Sequence, residues 1–337
     1  MEADHRVSRR QMLAMSAAAG SLAICGDAAA QEGKRIERLD PALDAIISTT
    51  EPIVDLATNL GGVANVEGPL WWKEGGYLLM RGTDLKRWKY APGQGMSVFK
   101  ENTNAANGIT RDPQGRLVAC EAGARRVARE ERDGSTTVVA STFHGRRLNF
   151  PNDIVVKSDG AVYFTDGMAG CLPKREDDPA RELPFHGVYS IRNGSLQLLD
   201  KDPGNFPPNG LAFSPDEKIL YVNNGGPGPN QRQIFAYDLQ SDGTVKNRRL
   251  FADFTGEKGP GGPDGMKVDA MGNLYSTGMG GVWVLSPAGK RLAQVPAPEG
   301  MRFSNLAFGD QDSKTLYVVS PKTLWRIRVK VTGIRPH

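Results

Sequence analysis

Residues 261–275, Gly-Gly-Pro-Asp-Gly-Met-Lys-Val-Asp-Ala-Met-Gly-Asn-Leu-Tyr, contain the pattern that decides the fold of this chain. A carboxylate at Asp264 stands between proline and glycine, and a short run that alternates apolar and polar residues follows it. A turn at Gly272 then separates this first strand from a second strand that begins at Leu274. Two short strands joined by a glycine turn predict a β-hairpin.

The same unit occurs six times along the chain. Each copy begins with a polar residue, called the lead residue below, and continues through a short strand and a turn into a second strand. The lead residues lie 40, 45, 57, 55 and 41 positions apart, and they are Glu67, Asn107, Asn152, Asn209, Asp264 and Asn305. A repeat of this length that contains only short strands is typical of a propeller blade.

A second hairpin follows each lead segment. Residues 187–191 precede Asn193-Gly194, and residues 233–237 precede Asp242-Gly243. Such dipeptides between alternating segments are strong hairpin signals. The sequence therefore predicts an all-β fold, a six-bladed β-propeller whose blades each have four antiparallel strands. The alternating segment at 53–57 is expected to pair with the C-terminal strands and so close the ring.

The N-terminal thirty residues have the features of a secretory signal. Arg9-Arg10 precede an apolar run at 12–24, and Ala28-Ala29-Ala30 form a small-residue cleavage site. These features predict a twin-arginine signal peptide at 1–30, recognition by the twin-arginine export machinery and a periplasmic location. The apolar run is too short for a stable membrane anchor. Residues 31–52 are expected to form an N-terminal arm, and 53–337 the propeller.

Charge and cysteine content restrict the partners. The net charge at pH 7 is +4 over 337 residues, and the lysines and arginines are scattered. Because no basic patch appears, a nucleic-acid partner is not expected. Cys120 and Cys171 lie in different repeats, so a disulfide between them stays open, but we expect Cys120 to be a buried free thiol.

Two blades carry insertions between their second and third strands, at 167–186 and 223–232. That connection lies at the same end of a blade as the start of its first strand. Both insertions are therefore expected to lie over the lead residues, as loops that form or cover a binding site do.

The six lead residues are expected to converge on the propeller axis. Two are carboxylates and four are asparagines, and hard oxygen donors of this kind suit Ca²⁺ or Mg²⁺. The alternative is that Asn-Gly and Asp-Gly only supply turn chemistry at strand entrances. Because the lead residue occurs in six aligned copies, a cation site is favoured over turn chemistry alone. The sequence contains no Gly-x-Ser-x-Gly, His-Glu-x-x-His or Walker motif that would indicate another chemistry.

A set of spaced motifs resembles the gluconolactonase family, relatives of regucalcin (senescence marker protein), and within it the bacterial sugar lactonases. The motifs are Glu67-Gly68-Pro69, Asn107-Gly108, Pro151-Asn152-Asp153, Pro208-Asn209-Gly210-Leu211 and Pro263-Asp264-Gly265-Met266. Stretches around Glu121 and His186 are also similar to those lactonases. Residues 166–170 depart from the family pattern, and this leaves the substrate open.

The resemblance implies a role for each matching residue. One divalent cation, Ca²⁺ in the first place with Mg²⁺, Mn²⁺ or Zn²⁺ as alternatives, would be held by Glu67, Asn152, Asn209 and Asp264. Asp264 would also be the catalytic acid/base, and Asn107, Glu121 and His186 would line the substrate pocket. The implied reaction is hydrolysis of a gluconolactone-like sugar lactone to the aldonic acid.

Two other classes of function remain open at this point. The same site would also suit an organophosphatase or an arylesterase, because fold and metal do not determine the substrate. A non-enzymatic binding propeller is the second alternative, although such a protein has no need of two carboxylates at the axis.

Overall fold

The computed structural model describes residues 34–58, 66–82, 85–167, 174, 177–225 and 232–337. Its main sheets are antiparallel, and six of them form the blades of a ring. The innermost strands of neighbouring blades contact one another all the way round the axis, so the ring is closed. The predicted six-bladed β-propeller is confirmed. The predicted signal peptide and Cys171 lie outside the described residues.

Strands are numbered in chain order. Two strands precede the first full blade: β1 (Glu37–Arg38) and β2 (Val54–Thr58). Blade 1 comprises β3 (Glu67–Trp72), β4 (Tyr77–Arg81), β5 (Arg87–Ala91) and β6 (Gly95–Lys100). Blade 2 comprises β7 (Ala106–Arg111), β8 (Leu117–Glu121), β9 (Arg126–Glu130) and β10 (Thr136–Ala140). A small hairpin follows, formed by β11 (Thr142–Phe143) and β12 (Arg146–Arg147).

The remaining blades continue in the same way. Blade 3 comprises β13 (Pro151–Val156), β14 (Val162–Asp166), β15 (Gly187–Arg192) and β16 (Ser195–Lys201). Blade 4 comprises β17 (Leu211–Phe213), β18 (Ile219–Asn223), β19 (Gln233–Leu239) and β20 (Val245–Asp253). Blade 5 comprises β21 (Met266–Val268), β22 (Leu274–Gly278), β23 (Gly281–Leu285) and β24 (Arg291–Pro296). Blade 6 contains β25 (Asn305–Gly309), β26 (Thr315–Val319) and β27 (Thr323–Arg328).

The N-terminal segment completes blade 6. Strand β2 pairs antiparallel with β27, with Val54 opposite Arg326, and supplies the fourth strand of that blade. The predicted closure by residues 53–57 is therefore confirmed. Strand β1 adds to the outer edge of blade 5 by pairing with β24. These pairings cover sheet edges that would otherwise present unpaired backbone groups.

Short 3₁₀ turns lie at Pro41–Ala45, Ala122–Ala124 and Pro203–Asn205. Asp40 caps the first, because its side chain accepts a hydrogen bond of 2.9 Å from the Ala42 N–H. Leu43 and Ile47 beside it are fully buried. No helix in the described ranges is long and apolar enough to cross a membrane.

Six apolar cores lie between the blades, one at each junction of two neighbours in the described chain. The junction of blades 5 and 6 also takes in the N-terminal arm through Leu43 and Ile47. At the junction of blades 6 and 1, the rings of Trp71 and Tyr317 stack with centroids 5.4 Å apart. Cys120, in the core between blades 2 and 3, is a buried free thiol. Each blade is thus held by both of its neighbours.

Both insertions occur where they were predicted, between the second and third strands of blades 3 and 4. The described part of the first insertion packs onto the blades. Leu183 is buried in the core between blades 2 and 3. The Arg125 guanidinium donates to the carbonyl oxygens of Leu148 and Ala180, at 2.6 and 2.9 Å. The described part of this insertion therefore contributes to the core between blades 2 and 3.

Close approach of neighbouring blades explains the glycine that follows four of the lead residues. A β-carbon at Gly68 would lie 2.1 Å from the Asn107 carbonyl oxygen, and one at Gly210 would lie 1.8 Å from the Asp264 carbonyl oxygen. Gly108 and Gly265 meet the lead segments of blades 3 and 6 in the same way. The Asn-Gly and Asp-Gly pairs therefore serve packing at the axis.

We predict that Gly210→Ala separates blades 4 and 5 at the axis. Its β-carbon would meet backbone atoms, which cannot rotate away, so the free energy of unfolding should fall by about 1–3 kcal/mol, the usual cost of overpacking. Urea unfolding measures this change. Gly256→Ala is the matched control, because no atom outside its chain neighbours lies within 4 Å of the added carbon. Equal stability of the two variants would contradict the packing role.

Candidate active site

The lead residues gather at one end of the central channel because each stands at the start of an innermost strand. Glu67 and Asn305 are the first residues of β3 and β25, and Asn107 and Asn152 are the second residues of β7 and β13. Asp264, like Asn209, stands two positions before its strand. With the neighbouring blades in backbone contact, these side chains meet across the axis.

A chain of hydrogen bonds connects five residues of this end, and it is called the amide relay below. Nη1 of Arg81 donates to Oδ1 of Asn107, and Nδ2 of Asn107 donates to Oδ1 of Asn152. Nδ2 of Asn152 donates to Oδ1 of Asn209 at 2.7 Å. The Asn209 side chain then hydrogen-bonds the Asp264 carboxyl. Four of the six lead residues therefore belong to one network.

The two ends of the amide relay determine its direction. A guanidinium has only donors, and a carboxylate has only acceptors. Asn107 must therefore turn its oxygen towards Arg81, and Asn209 must turn its amino group towards Asp264. Each asparagine oxygen in between accepts one hydrogen bond and has two lone pairs, so each keeps one lone pair for a ligand.

Two carboxyl groups repel each other at this end of the channel. Burial raises the pKa of Asp264 well above its usual range, and the nearby Glu67 raises it further. Burial likewise raises the pKa of Glu67, whereas the positive charge of Arg81 lowers it. The Asn305 side chain also hydrogen-bonds Glu67. A bound cation would relieve this repulsion.

The donor set fits a hard divalent cation. It consists of two carboxylates and asparagine oxygens with a spare lone pair, and oxygen donors are those that Ca²⁺ and Mg²⁺ prefer. The described ranges contain no group of three or more His, Cys, Asp or Glu placed to hold a metal. A cation at the axis would therefore depend on the amide oxygens of Asn152 and Asn209 together with Glu67 and Asp264.

Glu121 and His186, which were predicted to line the substrate pocket, have partners outside the amide relay: Glu121 forms an ion pair, and His186 hydrogen-bonds an aspartate. Glu121 ends β8, and its Oε2 accepts from Nδ2 of Asn104 at 3.0 Å and from Nε of Arg126 at 2.6 Å. Nδ1 of His186 lies 2.8 Å from Oδ1 of Asp202. The charge of Glu121 is thus balanced by a neighbour on its own blade.

Arg81 was not predicted from the sequence. It ends β4 directly opposite Glu67 in the first hairpin, which brings its guanidinium to the lead residues. The sequence nevertheless contained the information. In a hairpin with a short turn, the last residue of the second strand lies opposite the first residue of the first strand, which here is the lead residue. An arginine at that position is adjacent to the lead glutamate.

Asn223 and Asp166 also hold the lead segments in place. Nδ2 of Asn223 donates to the Asp264 carbonyl oxygen at 2.6 Å, and its Oδ1 accepts from the Gly210 N–H at 3.1 Å, so it joins blades 4 and 5. Asp166 accepts from the backbone N–H groups of Asn149 and Phe150, at 2.8 and 2.6 Å. Burial raises the pKa of Asp166 to about 7. No sequence pattern indicated these contacts.

Comparison with known proteins shows the family to which this chain is similar. Residues 66–322 match the family model described as SMP-30/Gluconolactonase/LRE-like region. A gluconolactonase from Zymomonas mobilis is 31% identical to this chain, and the alignment covers 97% of this chain and 99% of the relative. A regucalcin from Danio rerio is 35% identical over 75% of this chain and 82% of that protein.

Solved structures show the same similarity. A gluconolactonase from Xanthomonas campestris superposes with a TM-score of 0.77 at 31% identity, over 90% of this chain and 98% of that one. A calcium-binding regucalcin from Agrobacterium tumefaciens superposes with a TM-score of 0.64 at 19% identity, over 84% and 97% of the two chains. The second likeness concerns the fold alone.

We predict that Arg81→Met raises the pKa of Glu67, because the variant removes the positive charge that lowers this pKa. Carboxyl ¹³C NMR titration of glutamate-labelled protein measures the change, and Glu67→Gln identifies the resonance. Arg81→Lys keeps the charge and should shift the pKa less. An unchanged or lower pKa in Arg81→Met would show that Arg81 does not act on Glu67.

Proposed function

Because the chain belongs to the SMP-30/gluconolactonase/LRE-like family, we propose that it hydrolyses a sugar lactone to the aldonic acid in a cation-dependent reaction. The protein is a lactonase, a hydrolase that acts on carboxylic ester bonds. The observation that carries the proposal is the pair of repelling carboxyls, Glu67 and Asp264, placed among asparagine amides at one end of the channel.

Glu67, Asn152, Asn209 and Asp264 would hold the cation, which we propose to be Ca²⁺ before Mg²⁺, Mn²⁺ or Zn²⁺. When bound, the cation would act as a Lewis acid and polarise the lactone carbonyl. Asn107 lies next in the amide relay and would orient the substrate by hydrogen bonding. Its Nδ2 donates to the Asn152 carbonyl oxygen at 3.2 Å as well as to Oδ1 of Asn152. The remaining lone pair of its own Oδ1 is therefore the group that could bind the substrate.

Asp264 would move the proton. Its carboxylate accepts a proton from the attacking water and later gives it to the ring oxygen that leaves. Because Asp264 would also bind the cation, its carboxylate would be a weak base, so much of the rate should come from electrostatic preorganisation. Arg81 fixes the direction of the amide relay, so the amides stay oriented during the reaction and contribute electrostatic preorganisation.

A lactone panel tests the proposal. Proton release from sugar lactones is followed with the protein as purified, after treatment with a chelator, and after each cation is restored. The proposal requires hydrolysis that falls on chelation and returns with the cation. Aryl esters and phosphate triesters belong in the same panel, because the donor set suits them as well. Turnover of neither lactones nor esters would favour a binding propeller.

Substitution at the two carboxylates should separate their roles. Glu67→Gln weakens cation binding but removes no proton-transfer group, so excess cation should restore much of the lactonase activity. Asp264→Asn keeps an oxygen donor and cannot accept a proton, so its activity should fall by roughly 10² to 10⁴ and stay low with added cation. Steady-state rates across a cation titration measure both effects.

Asn305→Ala is the companion to these substitutions, since it removes a hydrogen bond to Glu67 but neither a proposed cation ligand nor a proton-transfer group. Its activity should fall much less than that of either carboxylate variant. Cation rescue of Asp264→Asn to a rate near that of the unmodified protein would leave Asp264 as a ligand only, and would move the search for the base to Glu121 and His186.

We also propose that the protein is exported to the periplasm by the twin-arginine machinery, from Arg9-Arg10 and Ala28-Ala29-Ala30. Replacing both arginines with lysine should block export and leave the folded, active protein in the cytoplasm. Fractionation followed by a lactonase assay of each compartment measures this. Normal export of the double-lysine variant would contradict a twin-arginine signal.

A further inference from the structure

Arg302 is a charged residue at the cation-binding end that the proposed reaction does not use. It lies three positions before the lead residue Asn305, on the segment that connects blade 5 to blade 6, and it is exposed. The side chain of its neighbour Phe303 is 2% exposed and packs edge-on against Trp325 in the core between these blades. The segment is therefore anchored through Phe303, whereas Arg302 is accessible from solvent.

Ser304 fixes this segment between the two lead segments that carry carboxyl groups. Its hydroxyl group donates to the Val66 carbonyl oxygen at 2.6 Å, and its own carbonyl oxygen accepts from the Gly265 N–H at 2.9 Å. Val66 precedes Glu67, and Gly265 follows Asp264. The segment therefore stands between the two proposed carboxylate ligands of the cation.

The charge of Arg302 reaches both of these carboxyl groups. Its β-carbon lies 3.3 Å from the place where a β-carbon of Gly261 would stand, so the side chain starts beside the lead segment of blade 5. Burial raises the pKa of Glu67 and that of Asp264, and the positive charge of Arg302 opposes the rise at each of them. A ligand bound at the cation would therefore lie in the field of this guanidinium.

The charges around the axis balance only without a cation. Asp153 adds a third carboxyl group to Glu67 and Asp264 and increases their repulsion. Among the described residues, three positive groups oppose these carboxyls, namely Arg81, Arg302 and Lys267. When all six groups are ionised, three negative and three positive charges cancel, so a divalent cation leaves two positive charges in excess. Because unbalanced charge is costly at a partly buried site, the loaded site favours an anionic ligand.

We propose that the substrate is a sugar lactone with a second, acidic group, a carboxylate or a phosphate, and that Arg302 binds this group. The proposal rests on the lactonase function proposed above, because it names the substrate class of the same site. A bound cation would balance the charges of Glu67 and Asp264, and this would leave the guanidinium for the ligand. A guanidinium binds a carboxylate or a phosphate through two parallel hydrogen bonds. Arg302 would thus determine specificity for acidic over neutral sugar lactones.

Three sugar derivatives that are not lactones test the preference by binding alone. Methyl β-D-glucoside is neutral, whereas its 6-phosphate and methyl β-D-glucuronide carry an acidic group on the same ring. In NMR titrations of the Ca²⁺-loaded protein, at least one acidic derivative should bind about tenfold more tightly than the glucoside, because it adds a charge-assisted pair. The tighter of the two identifies the acidic group. The preference should shrink in the metal-free protein, where the six charges cancel.

Variants assign the preference to one residue. Arg302→Met should remove the preference for the acidic derivatives and leave binding of the glucoside unchanged, and because Arg302 is exposed the variant should fold. Arg302→Lys keeps the charge without the paired donors and should retain part of the preference. Arg132→Met is the matched control, because it removes one positive charge from an exposed turn between β9 and β10, at the end opposite the lead residues. It should keep the full preference.

Equal binding of the three derivatives, no binding of either acidic one, or a preference that persists in Arg302→Met would overturn the proposal. Hydrolysis separates this result from the lactonase function. The ratio of kcat/KM for D-glucaro-1,4-lactone to that for D-glucono-1,4-lactone should fall about tenfold in Arg302→Met. An unchanged ratio would overturn the role of Arg302 and leave the lactonase function intact. Binding of an acidic derivative through Arg302 without hydrolysis of any lactone would contradict the lactonase function and support the anion site.

Discussion

Backbone contact between neighbouring blades at the propeller axis is the constraint on which the rest of this structure depends. The carbonyl oxygen of Asp264 occupies the space where a β-carbon of Gly210 would stand, and the Asn107 carbonyl oxygen does the same at Gly68. Contacts this close bring side chains from separate blades within hydrogen-bond reach. The amide relay and the repelling pair of carboxyls both follow from that proximity.

Two kinds of interaction then define the site. The amide relay orients Asn107, Asn152 and Asn209, because it begins at a group that only donates and ends at one that only accepts. The charges of Glu67 and Asp264 are opposed by burial and by each other, so they make the site receptive to a cation. Asp264 takes part in both contributions, because the amide relay ends at its carboxyl and its charge adds to that of Glu67.

The fold was predictable from the sequence because its signals are local. Six lead residues, their hairpin dipeptides and the alternating segment at 53–57 were sufficient to predict the blades and the closure. Contacts between blades left no local pattern. Asn223 acquires its partner on blade 5 only when the blades pack together, and the glycines after the lead residues resemble ordinary turn glycines until the next blade is in place.

The central claim is that the axis holds one cation through Glu67 and Asp264. Calorimetric titration of the metal-free protein with Ca²⁺ tests it directly, with Glu67→Gln titrated in parallel. The account predicts one strong site per chain in the unmodified protein and a clearly weaker site in the variant. No binding, or binding that is equally strong in Glu67→Gln, would contradict it.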